Sequence, residues 1–158
     1  LEQLRVYEGK PFLNIVTADL GFMTDEEKKA AEEESIKNSD MFEFLVEAIG
    51  DANLKKVTLS SKLKSAACCL TTQGGLTLEM EKYFRGVPDP KLRELRAERV
   101  LELNGEHSAF AALKAAFDAG DKDRAATLGK ILYAHAELLA GVEVEDPTAF
   151  SELVCSLM

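Results

Sequence analysis

The clearest pattern in the chain is a pair of apolar stripes close to its end. Between residues 121 and 140, apolar side chains recur every three or four positions, and Gly141 follows them. The spacing returns in residues 147–158, where Asp146 is a candidate N-cap and Pro147 a candidate first helical residue. This spacing predicts two amphipathic helices. The stripes consist of Leu128, Ile131, Leu132, His135, Leu138 and Leu139, then Phe150, Leu153, Val154, Leu157 and Met158.

The two predicted helices form a hairpin with too little partner surface of its own to cover both stripes. Two such hairpins from two copies of the chain can pack as a four-helix bundle, which buries all four apolar faces. Packing against the chain's own core is the alternative, and the periodicity alone leaves both open. The pattern therefore predicts either an intramolecular helical pair or an intermolecular bundle in a homodimer.

A shorter apolar stripe lies in residues 74–90, between a Gly-Gly pair and a Gly-Val-Pro-Asp-Pro segment. Leu76, Met80, Tyr83 and Phe84 follow helical spacing and predict a short helix with one apolar face. Helical stripes usually belong to a core, whereas an apolar face left in water usually marks a binding surface. The pattern alone favours the core interpretation.

The preceding segments predict a small sheet. Residues 54–61 alternate between apolar and polar side chains, which is typical of a half-buried strand, and residues 65–72 contain a continuous apolar run, which is typical of a central strand. A third strand is predicted near residues 99–103. A capping box at Thr24 predicts the start of a helix that ends at Gly50.

Taken together, the elements predict an α/β (α+β) fold with a three-stranded mixed sheet packed with helices. Their order is helix, two strands, helix, strand and three helices, the first of these three over residues 107–120. We expect residues 1–22 to be the tail of a preceding domain and its linker, and residues 23–158 to form one domain.

The charge of the chain limits its partners. It contains 19 Lys and Arg against 28 Asp and Glu, so its net charge is −9. Phosphate backbones repel such a chain, and we expect no nucleic-acid partner. No apolar run approaches the roughly 18 residues that cross a bilayer, so we expect no membrane partner. Three Cys and two His offer neither a disulfide framework nor a metal site, which favours the reducing cytoplasm.

The adjacent Cys68 and Cys69 raise one enzymatic hypothesis. Because neighbouring residues of a strand point to opposite faces, one of the two can face the core. A nucleophilic Cys68 or Cys69 paired with His107 would make a small cytosolic cysteine-dependent enzyme and would require a low thiol pKa. No third catalytic residue or oxyanion loop is evident, so small buried side chains are the simpler interpretation.

A run of basic residues precedes the third predicted strand, and acidic residues alternate with it. Such mixed charge predicts a solvated face. We interpret His135 as a structural or interface residue rather than a ligand. The run consists of Lys91, Arg93, Arg96 and Arg99, interleaved with Glu94 and Glu98.

Three segments taken in order carry a resemblance to a known family. They are TTQGGLTLEMEKYF at 71–84, VLELNGEH at 100–107 and VEDPTAFSELVCSLM at 144–158. The series is similar to the C-terminal domain of the heat shock protein 90 chaperone family, in its bacterial branch. The resemblance runs from Met41 to Met158 and extends more loosely over residues 1–40.

The resemblance implies a homodimerisation module of an ATP-dependent chaperone: residues 1–22 would be the tail of the family's middle domain or a linker, and residues 23–158 the C-terminal dimerisation domain. In the family the last two helices form an intermolecular four-helix bundle, which assigns the two stripes above to a dimer interface. The family also exposes a short helix to unfolded or partly folded client proteins, and Leu76, Met80, Tyr83 and Phe84 match it. The ATP and Mg site of the family lies in the N-terminal domain, so we expect no cofactor and no ATPase activity in this chain. A dimerising adaptor without client binding is a further alternative.

Overall fold

The computed structural model describes residues 6–7, 10–11 and 33–157. Two short strands, β1 (Val6–Tyr7) and β2 (Lys10–Pro11), pair antiparallel. The predicted helix start at Thr24, most of segment 1–22 and Met158 lie outside the described residues.

The main sheet has three strands and mixed direction, as predicted. Its strands are β3 (Leu54–Leu59), β4 (Cys68–Gln73) and β5 (Glu98–Leu103), in the order β3–β5–β4. Strand β5 runs parallel to β3 and antiparallel to β4.

The prediction that the second strand is central is wrong, because β5 occupies the centre and β4 an edge. The apolar run was misleading since its two alanines, Ala66 and Ala67, precede β4. Within β4 itself, burial alternates between the two faces: Cys68 and Leu70 are buried, while Cys69 is half-buried. A strand buried on one face suits an edge as well as a centre.

Among the described residues, five helices follow the predicted order, and one short helix is an addition. Residues 33–37 are also helical and precede a turn at Asn38. The helices are α1 (Ser39–Ile49), α2 (Leu78–Arg85), α3 (Pro90–Arg93), α4 (Ser108–Asp118), α5 (Lys122–Leu139) and α6 (Pro147–Cys155), of which α3 was not predicted.

The predicted helix boundaries are confirmed where capping chemistry was visible. Gly50 ends α1 with a left-handed φ of 74°. The Asp146 side chain accepts a hydrogen bond of 2.9 Å from the Ala149 N–H, and Pro147 begins α6. Asp121 caps α5 in the same way, accepting from the Arg124 N–H at 3.1 Å.

The core lies between one face of the sheet and helices α1 and α5. Helix α1 packs on β3, α5 packs on β4, and the two helices contact each other. They approach closely because residue 129 is glycine: a Cβ there would lie 2.5 Å from Leu45 Cδ2. Leu45, Leu101 and Leu113 are fully buried at the centre, and each contributes about 1.5–3 kcal/mol.

Candidate functional site

Helix α2 turns apolar side chains toward solvent. Tyr83 is 72% exposed and Met80 is 37% exposed. The Tyr83 and Phe84 rings contact each other edge to face, with centroids 5.8 Å apart. Thr77 caps the helix by accepting a hydrogen bond of 3.2 Å from the Met80 N–H. Apolar side chains held outward by an ordered helix make a candidate partner-binding surface.

The structure corrects the predicted helical stripe. Helix α2 begins at Leu78, so Leu76 precedes the N-cap and packs, partly buried, against the core. Phe84 is half-buried. Because Thr77 takes the capping position, the helix starts later than the apolar spacing suggested, and only Met80 and Tyr83 of the predicted four are exposed.

A buried carboxylate anchors the inner face of α2. Glu81 is 1% exposed and Leu78 is 7% exposed. The Glu81 carboxylate accepts hydrogen bonds of 2.8 Å from the Ala97 N–H and from Arg85 Nη2. Burial works to raise the pKa of Glu81, but these hydrogen bonds and Arg99 outweigh it and lower the pKa. Because Glu81 and Leu78 form the inner face of α2, Met80 and Tyr83 remain exposed on its outer face.

Arg99, which is 4% exposed, joins three parts of the fold from the central strand β5. Its Nη1 donates to Glu137 Oε1 on α5 at 2.7 Å and to Asp51 Oδ2, just after α1, at 3.1 Å. Its Nη2 lies 3.4 Å from Glu81 Oε1 on α2. Burying a guanidinium is strongly unfavourable unless anions pair with it, and the neighbouring carboxylates offset that cost.

Tyr133 completes this group of side chains. Its hydroxyl accepts from Arg99 Nη1 at 3.0 Å and donates to Asp51. Burial, followed by the hydrogen bond to Asp51, raises the pKa of Tyr133 far above its ordinary value. We refer to Asp51, Glu81, Arg99, Tyr133 and Glu137 as the Arg99 cluster.

The two remaining carboxyls of the Arg99 cluster shift in opposite directions. Burial favours a higher pKa for Asp51, but hydrogen bonds from Tyr133 and from the Asn53 N–H, with Arg99 nearby, lower it. For Glu137, burial is also the largest effect, and it prevails: Arg99 opposes it and Asp51 adds to it, so the pKa is raised. Three acids beside one buried cation therefore do not ionise equally readily.

The Arg99 cluster was not predicted from the sequence. The prediction that Arg99 lies in a solvated basic run is wrong, although the other three cations of that run are exposed. Strand alternation could have identified it, because Arg99 is two residues before Leu101, which in turn is two residues before Leu103. All three face the core. Similarly, Tyr133 and Glu137 are four residues apart on the buried face of α5.

Helix α2 also contacts residues 140–146, which we call the α5–α6 connection. Lys82 Nζ donates a hydrogen bond to the Ala140 carbonyl, and Arg85 Nη1 lies 3.6 Å from Glu143 Oε2. The connection is itself packed, since Val142 is 5% exposed and Val144 is 9% exposed.

The predicted interface residues fall into two groups. On α5, Leu138 and Leu139 are 52% and 59% exposed, whereas Leu132 is 6% exposed and belongs to the subunit's own core. Of the others on α5, Leu128 and Ile131 are half-buried, and His135 is exposed.

Helix α6 is the less covered of the two C-terminal helices. No residue of α6 is buried, although it carries Phe150, Leu153 and Val154, all half-buried. Leu157, just beyond the helix, is 40% exposed. The apolar side of this end of the molecule is therefore only partly shielded within the described residues of one subunit.

The cysteines do not form the site that the enzymatic hypothesis requires. Cys68 is fully buried, its Sγ donates to the Leu132 carbonyl at 3.2 Å, and burial raises its pKa to about 11. Burial, and then Glu102, likewise raise the pKa of Cys69 to about 11. His107 caps α4 by accepting from the Ala109 N–H through Nδ1 at 3.1 Å. High pKa values at both thiols contradict the low value that the hypothesis needs.

The described residues offer neither a metal-ion site nor a helix suited to crossing a membrane. Residues 33–157 bring together no group of three or more His, Cys, Asp and Glu side chains suited to a metal ion. None of the helices that the structure describes combines the length and apolar character needed to cross a membrane.

Comparison with known proteins gives a consistent result. A family model described as "Hsp90 protein" matches residues 1–158. Proteins named "Chaperone protein HtpG" are similar over all of this chain: 40% identical in Halalkalibacterium halodurans, 39% in Clostridium acetobutylicum and 37% in Bacillus subtilis. The chain spans about a quarter of the length of these curated relatives, at 24%, 24% and 25%.

Proposed function

Because this chain belongs to the Hsp90 protein family, we propose that it is the C-terminal homodimerisation domain of an HtpG-type, ATP-dependent chaperone. The observation that carries the proposal is the incompletely covered end of the molecule. There α6 has no buried residue, and Leu138 and Leu139 lie more than half exposed. A second copy meeting this end across a twofold axis covers both helices in a four-helix bundle.

Apolar side chains available at this end could support a stable dimer. Obligate interfaces bury roughly 2,000 Å² or more, and each Leu or Phe that passes from exposed to buried contributes about 1.5–3 kcal/mol. Leu138, Leu139, Phe150, Leu153 and Leu157 are incompletely buried and available for this contact. Clamping two protomers at this end keeps the rest of the parent chains at high effective concentration for one another.

Solution mass tests the dimer directly. Sedimentation of the chain at tens of micromolar should give twice its mass of 17.3 kDa. Leu138→Asp with Leu139→Asp should give the monomer mass while the circular dichroism spectrum stays unchanged, because both side chains are exposed in the subunit.

A matched control places the same kind of change elsewhere on the surface. Ile36 is 72% exposed and lies far along the chain from α5 and α6, so Ile36→Asp should leave the dimer intact. A wild-type monomer at these concentrations, or equal loss of the dimer in both variants, would show that α5 and α6 do not form the interface.

A second role is proposed for α2, as a binding surface for unfolded or partly folded client proteins. What supports it is the inverted arrangement of the helix, with Glu81 inside and Met80 and Tyr83 outside. Methionine adapts to many partner shapes, and tyrosine offers a large apolar ring with a polar tip. If serine substitutions at Met80 and Tyr83 do not affect client binding, the chain is a dimerising adaptor instead.

The proposal assigns ATP and Mg to another part of the parent chaperone, which we place in the cytoplasm. The isolated chain should therefore release no phosphate from ATP above the rate in buffer. Phosphate release that scales with the concentration of this chain would overturn that assignment.

A further inference from the structure

We propose that the Arg99 cluster, together with the direct contacts of Lys82 and Arg85, couples the position of α2 to the position of the α5–α6 connection, so that a partner that displaces α2 loosens the connection and α6. This rests on the proposed function only for the identity of the two partners, a client on α2 and a second subunit on α6. The coupling itself lies within one subunit.

The Arg99 side chain contacts both α2 and the end of α5 that leads into the connection. Arg99 binds Glu81 of α2 and Glu137 of α5, near the point where α5 passes into the connection. All three side chains are buried, at 4%, 1% and 6% exposed, so losing either carboxylate leaves a buried charge without one of its partners. Moving Glu81 away would leave Arg99 and the Ala97 N–H short of an acceptor, so α2 cannot shift without disturbing the cluster.

Helix α2 also contacts the connection directly. Lys82 reaches the Ala140 carbonyl, and Arg85 lies beside Glu143. Lys82 is one residue from Glu81, and Tyr83 is the next residue on the exposed side. Because α2 has only eight residues, a partner that displaces Met80 or Tyr83 also displaces Glu81, Lys82 and Arg85.

A second arrangement of the connection is physically available. Arg85 Nε and Arg99 Nε are buried, and neither finds an acceptor among the described residues. A cavity of about 500 Å³ lies beside them, lined in part by Arg96, Glu143, Val144 and Pro147. Spare donors, an adjacent exposed carboxylate and open space allow the connection to move and pair differently, which a close-packed interior would prevent.

Two backbone amides report on the two ends of the coupling. The Ala97 N–H donates to the Glu81 carboxylate and so reports the seating of α2. The Val142 N–H donates to the Glu137 carbonyl at 2.9 Å and so reports the seating of the connection. Hydrogen exchange measured by NMR on the intact chain can follow both amides and those of α4 as an internal reference.

The forward test changes α2 and observes the connection. Lys82→Met removes an exposed ammonium without disturbing the core, and should speed exchange at Val142 about 5- to 20-fold, the lower range of allosteric coupling. Lys91→Met, on α3, is the matched control and should leave Val142 unchanged. No change at Val142 in Lys82→Met, or the same change in both variants, would overturn the proposal.

The reverse test uses the reciprocity that thermodynamics requires of any coupling. Val142→Ala should speed exchange at Ala97 several-fold more than Val57→Ala, since Val57, at 2% exposed, lies in β3 away from the cluster. Equal effects in the two variants, or acceleration that is uniform through α4, would mean that the cluster only stabilises the fold.

The outcome is separable from that of the proposed function. A monomeric wild type, or failure to bind carboxymethylated α-lactalbumin as an unfolded probe, would reject the dimer or the client surface. The exchange results at Val142 and Ala97 need neither a dimer nor a probe, so they decide the coupling by themselves.

Discussion

Helices α2 and α6 both leave apolar side chains at the surface, but they are held in opposite ways. Helix α2 is fastened by a buried ion cluster, with Glu81 inside and Tyr83 outside. Helix α6 has no buried residue and rests on half-buried Phe150, Leu153 and Val154. The first arrangement fixes an exposed surface in a single subunit, whereas the second leaves a helix that the described residues of one subunit cover only in part.

The largest expected effect comes from removing the cation that fastens α2. Arg99→Met leaves the buried Glu81 and Glu137 and the half-buried Asp51 without their shared partner, and should lower the free energy of unfolding by about 3–5 kcal/mol. Urea denaturation measures it. Arg96→Met is the control: Arg96 is exposed, and its Nε lies 3.9 Å from Glu81 Oε1, so its loss should change stability by about 0.5 kcal/mol or less. Equal losses would mean that Arg99 holds no special position.

A smaller effect is expected at Gly129, where α5 packs against α1. Helix α5 also contacts α6. Gly129→Ala would place a methyl group against Leu45 and should destabilise the subunit by about 1–3 kcal/mol. Thermal unfolding measures the change. Gly75→Ala is the control, because no atom within 4 Å opposes a Cβ there. A neutral Gly129→Ala would show that Leu45 can yield.

The pH dependence separates the acids that fasten α2. The lowered pKa values of Asp51 and Glu81 supply stability above their ordinary values of 3.8 and 4.5, and that stability is lost as pH falls through the folded values. Glu137, with a raised pKa, acts in reverse: protonation adds stability as pH falls toward 4.5. Glu137→Gln should therefore abolish a gain between neutral pH and pH 4.5, and Glu81→Gln should weaken the loss below it.

Thermal unfolding by circular dichroism from pH 7 to pH 3 checks this prediction. Comparison of each variant with the wild type isolates the group concerned, since the remaining carboxyls titrate alike in both. If Glu137→Gln and Glu81→Gln change the pH profile in the same direction, the opposite shifts assigned to these two acids are wrong.

The same contrast explains which features the sequence could predict. The limits of α6 follow from Asp146 and Pro147, and the end of α1 from Gly50, because caps act through neighbouring residues. The set of strands follows from local patterns of apolar and polar residues. The position of β5 between β3 and β4 does not, because it depends on pairing between distant segments.

The anchoring of α2 was unpredictable for a related reason. Apolar spacing assumes that apolar side chains mark the inner face of a helix, but in α2 Glu81 occupies that face beside Leu78. A carboxylate can be buried on that face only where a cation and an N–H pair with it. Here Arg99 and Ala97, from a different part of the chain, provide them. The pairing exists only in three dimensions, whereas spacing alone placed Met80 and Tyr83 on one apolar stripe without showing that they are exposed.

The smallest change in stability, and the most selective change in binding, is expected on the exposed face of α2. Met80→Ser with Tyr83→Ser should change the free energy of unfolding by about 0.5 kcal/mol or less, since neither side chain is in the core. The pair should nevertheless weaken suppression of client aggregation, because the apolar contact is lost. Leu95→Ser is the control: Leu95 is 41% exposed but lies off the helix. The contrary outcome is that the double variant and Leu95→Ser suppress aggregation equally well while both remain dimers. In that case the exposed side chains of α2 are not a client-binding surface, and the anchoring of this helix by Glu81 has no role in binding.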